Sequence, residues 1–236
     1  FPLNFVAIDC LIVASKKKKK DNKTAGSWMD TQVVFFDCLS FADSVEFCGN
    51  GSFFVGTYRL REDTTRNLRW REGAVLRFES ADAESAPVMR DNFAARAGVL
   101  DMKVRKTQSE VVCVVQSEGV VQLLKRDEET LKLGEVFCGV ASAAKKAFVA
   151  FDADTANSSL INLSCDWSCS GDRYVVSHSD GSLSLWNASD ATNVLWGANC
   201  HENNEVWIAA CSKCAEHVVW SGGDDASLKG WDSRAG

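Results

Sequence analysis

The sequence predicts an all-β protein assembled from four repeats of short antiparallel strands, and three observations carry that reading. From residue 31 onward, β-rich runs of strand length alternate with polar turns. No long helical periodicity competes with them. The stretch Ser177-His-Ser-Asp180-Gly-Ser-Leu-Ser-Leu-Trp186-Asn is echoed by Ser221-Gly-Gly-Asp-Asp-Ala-Ser-Leu-Lys-Gly-Trp231-Asp, so the repeat is written twice in nearly the same letters.

The strands follow in order. The first repeat places strands near Ser44–Cys48, Phe53–Tyr58 and Ala74–Glu79. The second places them at Val99–Val104, Val111–Gln116 and Val120–Lys125, with an outer strand near Leu131–Phe137. In the third they fall at Leu160–Trp167, Tyr174–Ser177, Ser182–Asn187 and Asn193–Trp196. The fourth has Val206–Cys211, Val218–Ser221 and Ser227–Trp231. The first two repeats are degenerate: Glu118-Gly119 supplies a turn, but no Trp-Asp follows it.

The last repeat fixes the architecture. A His before the first strand, Ser-Gly ending the second, an Asp in the next turn and Trp-Asp closing the third is the order of a WD-repeat β-propeller blade. The polar groups form a chain in which the Asp accepts from the His, the His reaches the Ser hydroxyl and the Ser reaches the Trp indole. This spacing assigns the tetrad to His201, Ser221, Asp225 and Trp231. About four blades of a seven-bladed ring are expected, over residues 29–236, as a partial propeller belonging to a longer chain.

Composition narrows the function classes. The 236 residues are 46% hydrophobic, enough for a substantial core. The formal net charge is −6. Residues 1–28 carry Lys16–Lys20 and Lys23 against Asp9 and Asp21, or +4, which leaves the remainder at −10. A body so acidic argues against a phosphate backbone as ligand and suits a basic protein partner better. Ten cysteines sit mostly inside strand patterns, so free thiols in a cytoplasmic setting are expected rather than a disulfide framework. The apolar run at 3–14 is interrupted by Asp9, precedes its lysines and is too short to span a bilayer. The lysine run has the composition of a nuclear signal. The expected reading is that Met29 is the natural start and 1–28 a non-native or disordered extension.

Beyond the blade signature, a set of words occurs in fixed order: Ala42-Asp-Ser-Val-Glu-Phe47, Gly56-Thr-Tyr-Arg-Leu60, Gly98-Val-Leu-Asp-Met-Lys103, Val121-Gln-Leu-Leu124, Leu163-Ser-Cys-Asp-Trp-Ser168, His201 through Ala210, and Ser221-Gly-Gly-Asp-Asp225 to Gly230-Trp-Asp-Ser-Arg234. The set resembles the WD-repeat family of diphthamide biosynthesis, the diphthine methyl ester hydrolases, called diphthine methyltransferases in older naming. The likeness runs from about residue 29 to the end and matches the N-terminal half of that family's propeller. It implies a cytoplasmic carboxylic ester hydrolase that removes the methyl ester from over-methylated diphthine on translation elongation factor two. It implies no metal, no organic cofactor, no nucleic acid and no membrane. The alternative is a non-catalytic WD scaffold for protein partners, favoured by the lack of a recognisable catalytic constellation.

Placing chemistry on residues is harder. Ester hydrolysis needs a base for the attacking water and donors for the oxyanion. No Gly-x-Ser-x-Gly elbow exists. Of the three histidines, His217 reads as a surface turn residue and His178 as buried structure. His201 shares a propeller rim with Asp224 and Glu205, and these three are the catalytic candidates, although tetrad membership alone accounts for His201 and Asp225. Cys211-Ser-Lys-Cys214 has the spacing of a metal or redox pair but lacks further ligands at short range.

Overall fold

The computed structural model describes residues 11–13, 33–35, 38 and 40–235 except 50, 81–85, 107–110, 128, 143–146, 151–159, 191–192 and 198. The strands are β1 (Leu11–Val13), β2 (Val33–Phe35), β3 (Phe41–Gly49), β4 (Ser52–Asp63), β5 (Leu68–Glu79), β6 (Val88–Ala94), β7 (Val99–Val104), β8 (Val111–Gln116), β9 (Val120–Arg126), β10 (Leu133–Ser142), β11 (Ala147–Ala150), β12 (Asn162–Trp167), β13 (Arg173–His178), β14 (Leu183–Asn187), β15 (Asn193–Gly197), β16 (Ile208–Cys211), β17 (Val218–Gly222) and β18 (Leu228–Asp232). They form four antiparallel blades in sequence order: β3–β6, β7–β11, β12–β15 and β16–β18. A small β1–β2 ribbon stands apart from them. The rest of residues 1–28 lies outside the described residues.

In the inner strands of a blade, alternation feeds two cores at once. In β8, Val112 and Val114 face blade one and pack with Phe54, Val75 and Met102. Cys113 and Val115 face blade three and pack with Trp167, Tyr174 and Trp186. The six residues of β8 are therefore all buried, which is why the run Val111–Gln116 is apolar without a break. The next interface repeats the scheme with Val175, Leu183 and Leu185 against Val206, Ala209, Cys211 and Val219. The propeller stack is thus built from blade-to-blade cores.

A second set of contacts ties the first strands of successive blades together. A carboxylate of one blade accepts a backbone N–H of the next: Glu46 from Val104 (3.3 Å), Asp101 from Cys165 (3.1 Å) and Asp166 from Cys211 (2.9 Å). Lysines reinforce the series, Lys103 between Glu46 (3.8 Å) and Asp101 (3.2 Å) and Lys213 beside Asp166 (2.9 Å).

The structure adds three things to the sequence-based outline. Blade one has an outer strand, β6, which is mostly exposed. Blade two gains a fifth strand, β11, at its outer edge. In blade one, β4 and β5 each run for twelve residues, about twice the length of their counterparts, so their hairpin projects beyond the blade. Among the described residues no helix is long and apolar enough to cross a membrane. The nine described cysteines are free thiols.

Candidate functional site

In an antiparallel blade, the turn between second and third strands and the loop entering the next blade open on the same rim. In blade four these are residues 223–227 and 198–207. The entering loop is wound tightly, with Asn199, Glu202 and Asn203 at φ 57°, 55° and 63°. It is tied to blade three through His201 N–H to Gly181 O (3.2 Å) and Val206 N–H to His178 O (3.2 Å).

His201 is fully buried at the foot of this loop. Its Nδ1 meets Asp225 Oδ1 at 2.8 Å and its Nε2 meets Ser221 Oγ at 2.7 Å. The Trp231 indole donates to the same Ser221 oxygen at 2.8 Å. The geometry orders the protons: the indole N–H donates to Ser221, the Ser221 hydroxyl to Nε2, and Nδ1–H to the carboxylate. Asp225 also takes Lys229 Nζ at 2.8 Å and Ser227 N–H at 3.1 Å. Lys229 first, then His201 and Ser227, hold its carboxyl well below the usual carboxylate range. Gly223 is required beside it, because a Cβ there would come 2.5 Å from Glu205 O and 3.1 Å from His201 Nδ1.

Asp224 and Glu205 lie just outside this network. The backbone N–H of Asp224 donates to Glu205 O at 3.0 Å, so the two residues are held together through the main chain. The Asp224 side chain is exposed and accepts the Trp207 indole N–H at 2.7 Å. Trp207 is itself 51% exposed, which leaves an aromatic face on the rim. Among the described residues the Glu205 carboxylate has no hydrogen-bond donor. The structure therefore brings Asp224 and Glu205 together on the solvent side, and places His201 beneath them with both ring nitrogens engaged.

Cys211 and Cys214 do not converge. Cys211 is buried against blade three, with burial pushing its thiol up to about 12, whereas Cys214 is exposed on the turn. Among the described residues no cluster of three or more His, Cys, Asp or Glu is arranged to hold a metal. His217 sits partly exposed in that turn, 4.0 Å from Asp232.

Two further buried networks escape a reading by residue spacing. In blade three the Trp186 indole donates to Ser184 Oγ (2.6 Å), Ser184 meets His178 Nε2 (2.7 Å), and His178 Nδ1 meets Asn162 Oδ1 (2.8 Å). The Asn162 amide then donates to Val120 O in blade two at 2.9 Å. Burial pushes His178 down to about 4. In blade two, Gln116 accepts Ala97 N–H (2.8 Å) and donates to Gln122 (2.6 Å), which donates in turn to Glu135. Ser184-x-Trp186 was the one sequence signal that could have revealed the blade-three network.

No family model matches the chain. Curated relatives do, among them a diphthine methyltransferase homolog of Dictyostelium discoideum, 28% identical over 213 residues, and the diphthine methyltransferases of Mus musculus and Homo sapiens, 26% identical over 220 and 227 residues. The alignments cover 81–82% of this chain. The chain is related to the diphthine methyltransferases. It spans about half the length of these relatives, between 43% and 54%.

Proposed function

We propose that the protein acts in diphthamide biosynthesis, hydrolysing the methyl ester of diphthine methyl ester on translation elongation factor two. The observation that supports this most directly is the exposed Trp207 ring, bonded through its indole to Asp224 next to the free Glu205 carboxylate, in a chain related to the diphthine methyltransferases. A trimethylammonium-bearing side chain is attracted both to carboxylates and to an indole face. In this reading Asp224 and Trp207 hold the cation, while Glu205 takes a proton from water. The water oxygen bonds to the ester carbon, the bond to the methoxy oxygen breaks, and the proton leaves with methanol. His201 serves by anchoring the loop that carries Glu205 and Trp207.

The test is mass spectrometry of the modified-histidine peptide after incubating the ester-bearing factor with full-length protein. Loss of one methylene mass is expected. Glu205→Gln combined with Asp224→Asn should slow turnover on the order of a hundredfold while the blade stays folded. Persistence of the ester at stoichiometric enzyme defeats the hydrolase reading and leaves a scaffold.

A further inference from the structure

The β4–β5 hairpin is the one element whose length its own blade does not explain. Pairing with β3 ends at Phe41–Tyr58 and pairing with β6 ends at Ala94–Ala74. Beyond those points, residues 59–63 and 68–72 pair only with each other. A two-stranded ribbon without a sheet behind it is marginal in water, so an arm of this length needs local support. It has some: Asp63 Oδ1 accepts Thr65 N–H (3.0 Å) and Arg66 N–H (3.2 Å) at the tip. Ion pairs Arg61–Glu72 (2.6 Å) and Arg69–Glu62 (2.9 Å) cross the two strands.

The arm's charge is opposite to that of the molecule. Residues 58–73 carry five arginines against three carboxylates, in a chain of net charge −6. Arg61, Arg66 and Arg69 are each within reach of a carboxylate. Among the described residues Arg59 is not, and Arg71 has only the Glu118 carboxylate of blade two as a charged neighbour. Alongside them Leu60 is 45% and Trp70 44% exposed. Leu60 and Arg71 are direct cross-strand partners, as are Arg61 and Trp70, so each face of the arm couples an apolar side chain to a guanidinium.

The arm is also aimed. Its Tyr58, Leu60 and Arg71 face continues the side of blade one that packs on blade two. Arg71 N–H donates to Glu118 at 3.5 Å, in the turn between the second and third strands of blade two. A Cβ at Gly98 would come 2.9 Å from Arg71 Cβ and 3.0 Å from Tyr58 Cβ, so the arm's base is closely seated. The hairpin thus rises from the same rim on which Asp224, Glu205 and Trp207 open.

We infer that this arm docks the protein substrate, which grips the ribbon from both faces and sets carboxylates and apolar side chains against Arg59 and Trp70 on one face and against Arg71 and Leu60 on the other. A protein rather than a phosphate backbone fits, because Glu62, Asp63 and Glu72 are interleaved with the arginines and would repel a continuous run of phosphates. The identity of the partner as elongation factor two rests on the function proposed above; the chemistry of the arm does not.

The experiment measures two quantities on full-length protein. The first is the Kd for purified elongation factor two. The second is turnover of a short peptide bearing the esterified residue. For Arg59→Glu combined with Arg71→Glu, and separately for Leu60→Ser with Trp70→Ser, Kd for the factor should rise at least about tenfold, and added salt should weaken wild-type binding but not the residual binding of the charge-reversed form. Peptide turnover should stay at the wild-type level in both. Unchanged Kd, failure of the wild type to bind the factor, or an equal loss of peptide turnover each overturns the inference. So does wild-type binding of a short single-stranded RNA that the variants lose. If the factor binds through the arm but no ester is cleaved, the docking inference stands and the hydrolase reading falls.

Discussion

Blades three and four carry the same letters in nearly the same order, yet they solve the problem of the buried tryptophan differently. In blade four the serine that receives the indole is Ser221 on the second strand, and the histidine comes from the preceding loop. In blade three the serine is Ser184 on the third strand, and the histidine, His178, ends the second. Ser177, which aligns with Ser221, instead donates to Ser164 O at 3.5 Å. Asp180, in the turn of the echo, accepts the N–H and hydroxyl of Ser182 in its own turn rather than a bond from His178. The tryptophan fixes what is needed, a buried acceptor backed by a proton relay; which residues supply it depends on register. Blade four ends its relay on a charged Asp225, largely buried and paired with Lys229, whereas blade three ends on the neutral amide of Asn162, anchored in the neighbouring blade.

That difference can be broken or sharpened by mutation. The largest effect is expected at the tryptophans. Trp186 is fully buried, so Trp186→Ala should cost about 3–5 kcal/mol in urea denaturation. Trp231→Ala should cost clearly less, since Trp231 is only partly buried and borders an apolar cavity of about 60 Å³. Equal losses would mean that the two indoles are equally packed.

The next effect is pH dependence. His178 is held neutral in the folded protein, near 4 against an unfolded value of 6.5, so the unfolded chain binds the extra proton between those limits. Its contribution is complete above 6.5 and is lost as pH falls toward 4, on the order of 3 kcal/mol in all. His178→Gln should flatten the stability profile in that window. Asp225 is shifted down from 3.8, so what it contributes is present above 3.8 and disappears only in stronger acid. A profile that is flat between 6.5 and 4 in the unmutated chain would show that His178 is not kept neutral by burial.

Smaller and more discriminating are the serines. Ser221→Ala and Ser184→Ala each strand a buried histidine nitrogen and an indole N–H, at about 1–3 kcal/mol. Ser177→Ala removes a single long bond and should cost about 1 kcal/mol or less. Chemical denaturation of the three variants side by side gives the order. If Ser177→Ala matches Ser221→Ala, the alignment of letters outweighs the register seen in the structure.

Blade four was legible in the sequence because its tetrad depends on fixed offsets between His201, Ser221, Asp225 and Trp231. The strand runs of blades two and three were legible because both faces of strands such as β8 and β13 are buried, leaving apolar runs. Blade three's network was not, since which serine meets His178 follows from strand pairing. Three strand features were also hidden. The outer strand β6 reads Val-Met-Arg-Asp-Asn-Phe-Ala and is exposed on both faces, so burial imposes no pattern on it. The fifth strand, β11, is a four-residue addition at an edge. The arm of blade one is charged throughout and looks like a loop until its cross-strand pairs are seen. At the rim, the pair Asp224-Asp225 was readable as one tetrad residue and one spare; that the spare would be bonded to Trp207 required the loop geometry.

The carboxylates joining the first strands have a consequence for how such a molecule can drift. In each of Glu46, Asp101 and Asp166 the side chain accepts one main-chain N–H of the following blade. Every residue except proline offers that N–H, so Val104, Cys165 and Cys211 can exchange their side chains without touching the clasp. The side chains that do matter on the far side are the ones that also meet these carboxylates: Lys103 at Glu46 (3.8 Å), Ser164 at Asp101 (3.0 Å) and Lys213 at Asp166 (2.9 Å). A blade's first strand can therefore change at its main-chain donor freely, but at the lysine or serine that meets the preceding carboxylate only at a cost to the joint.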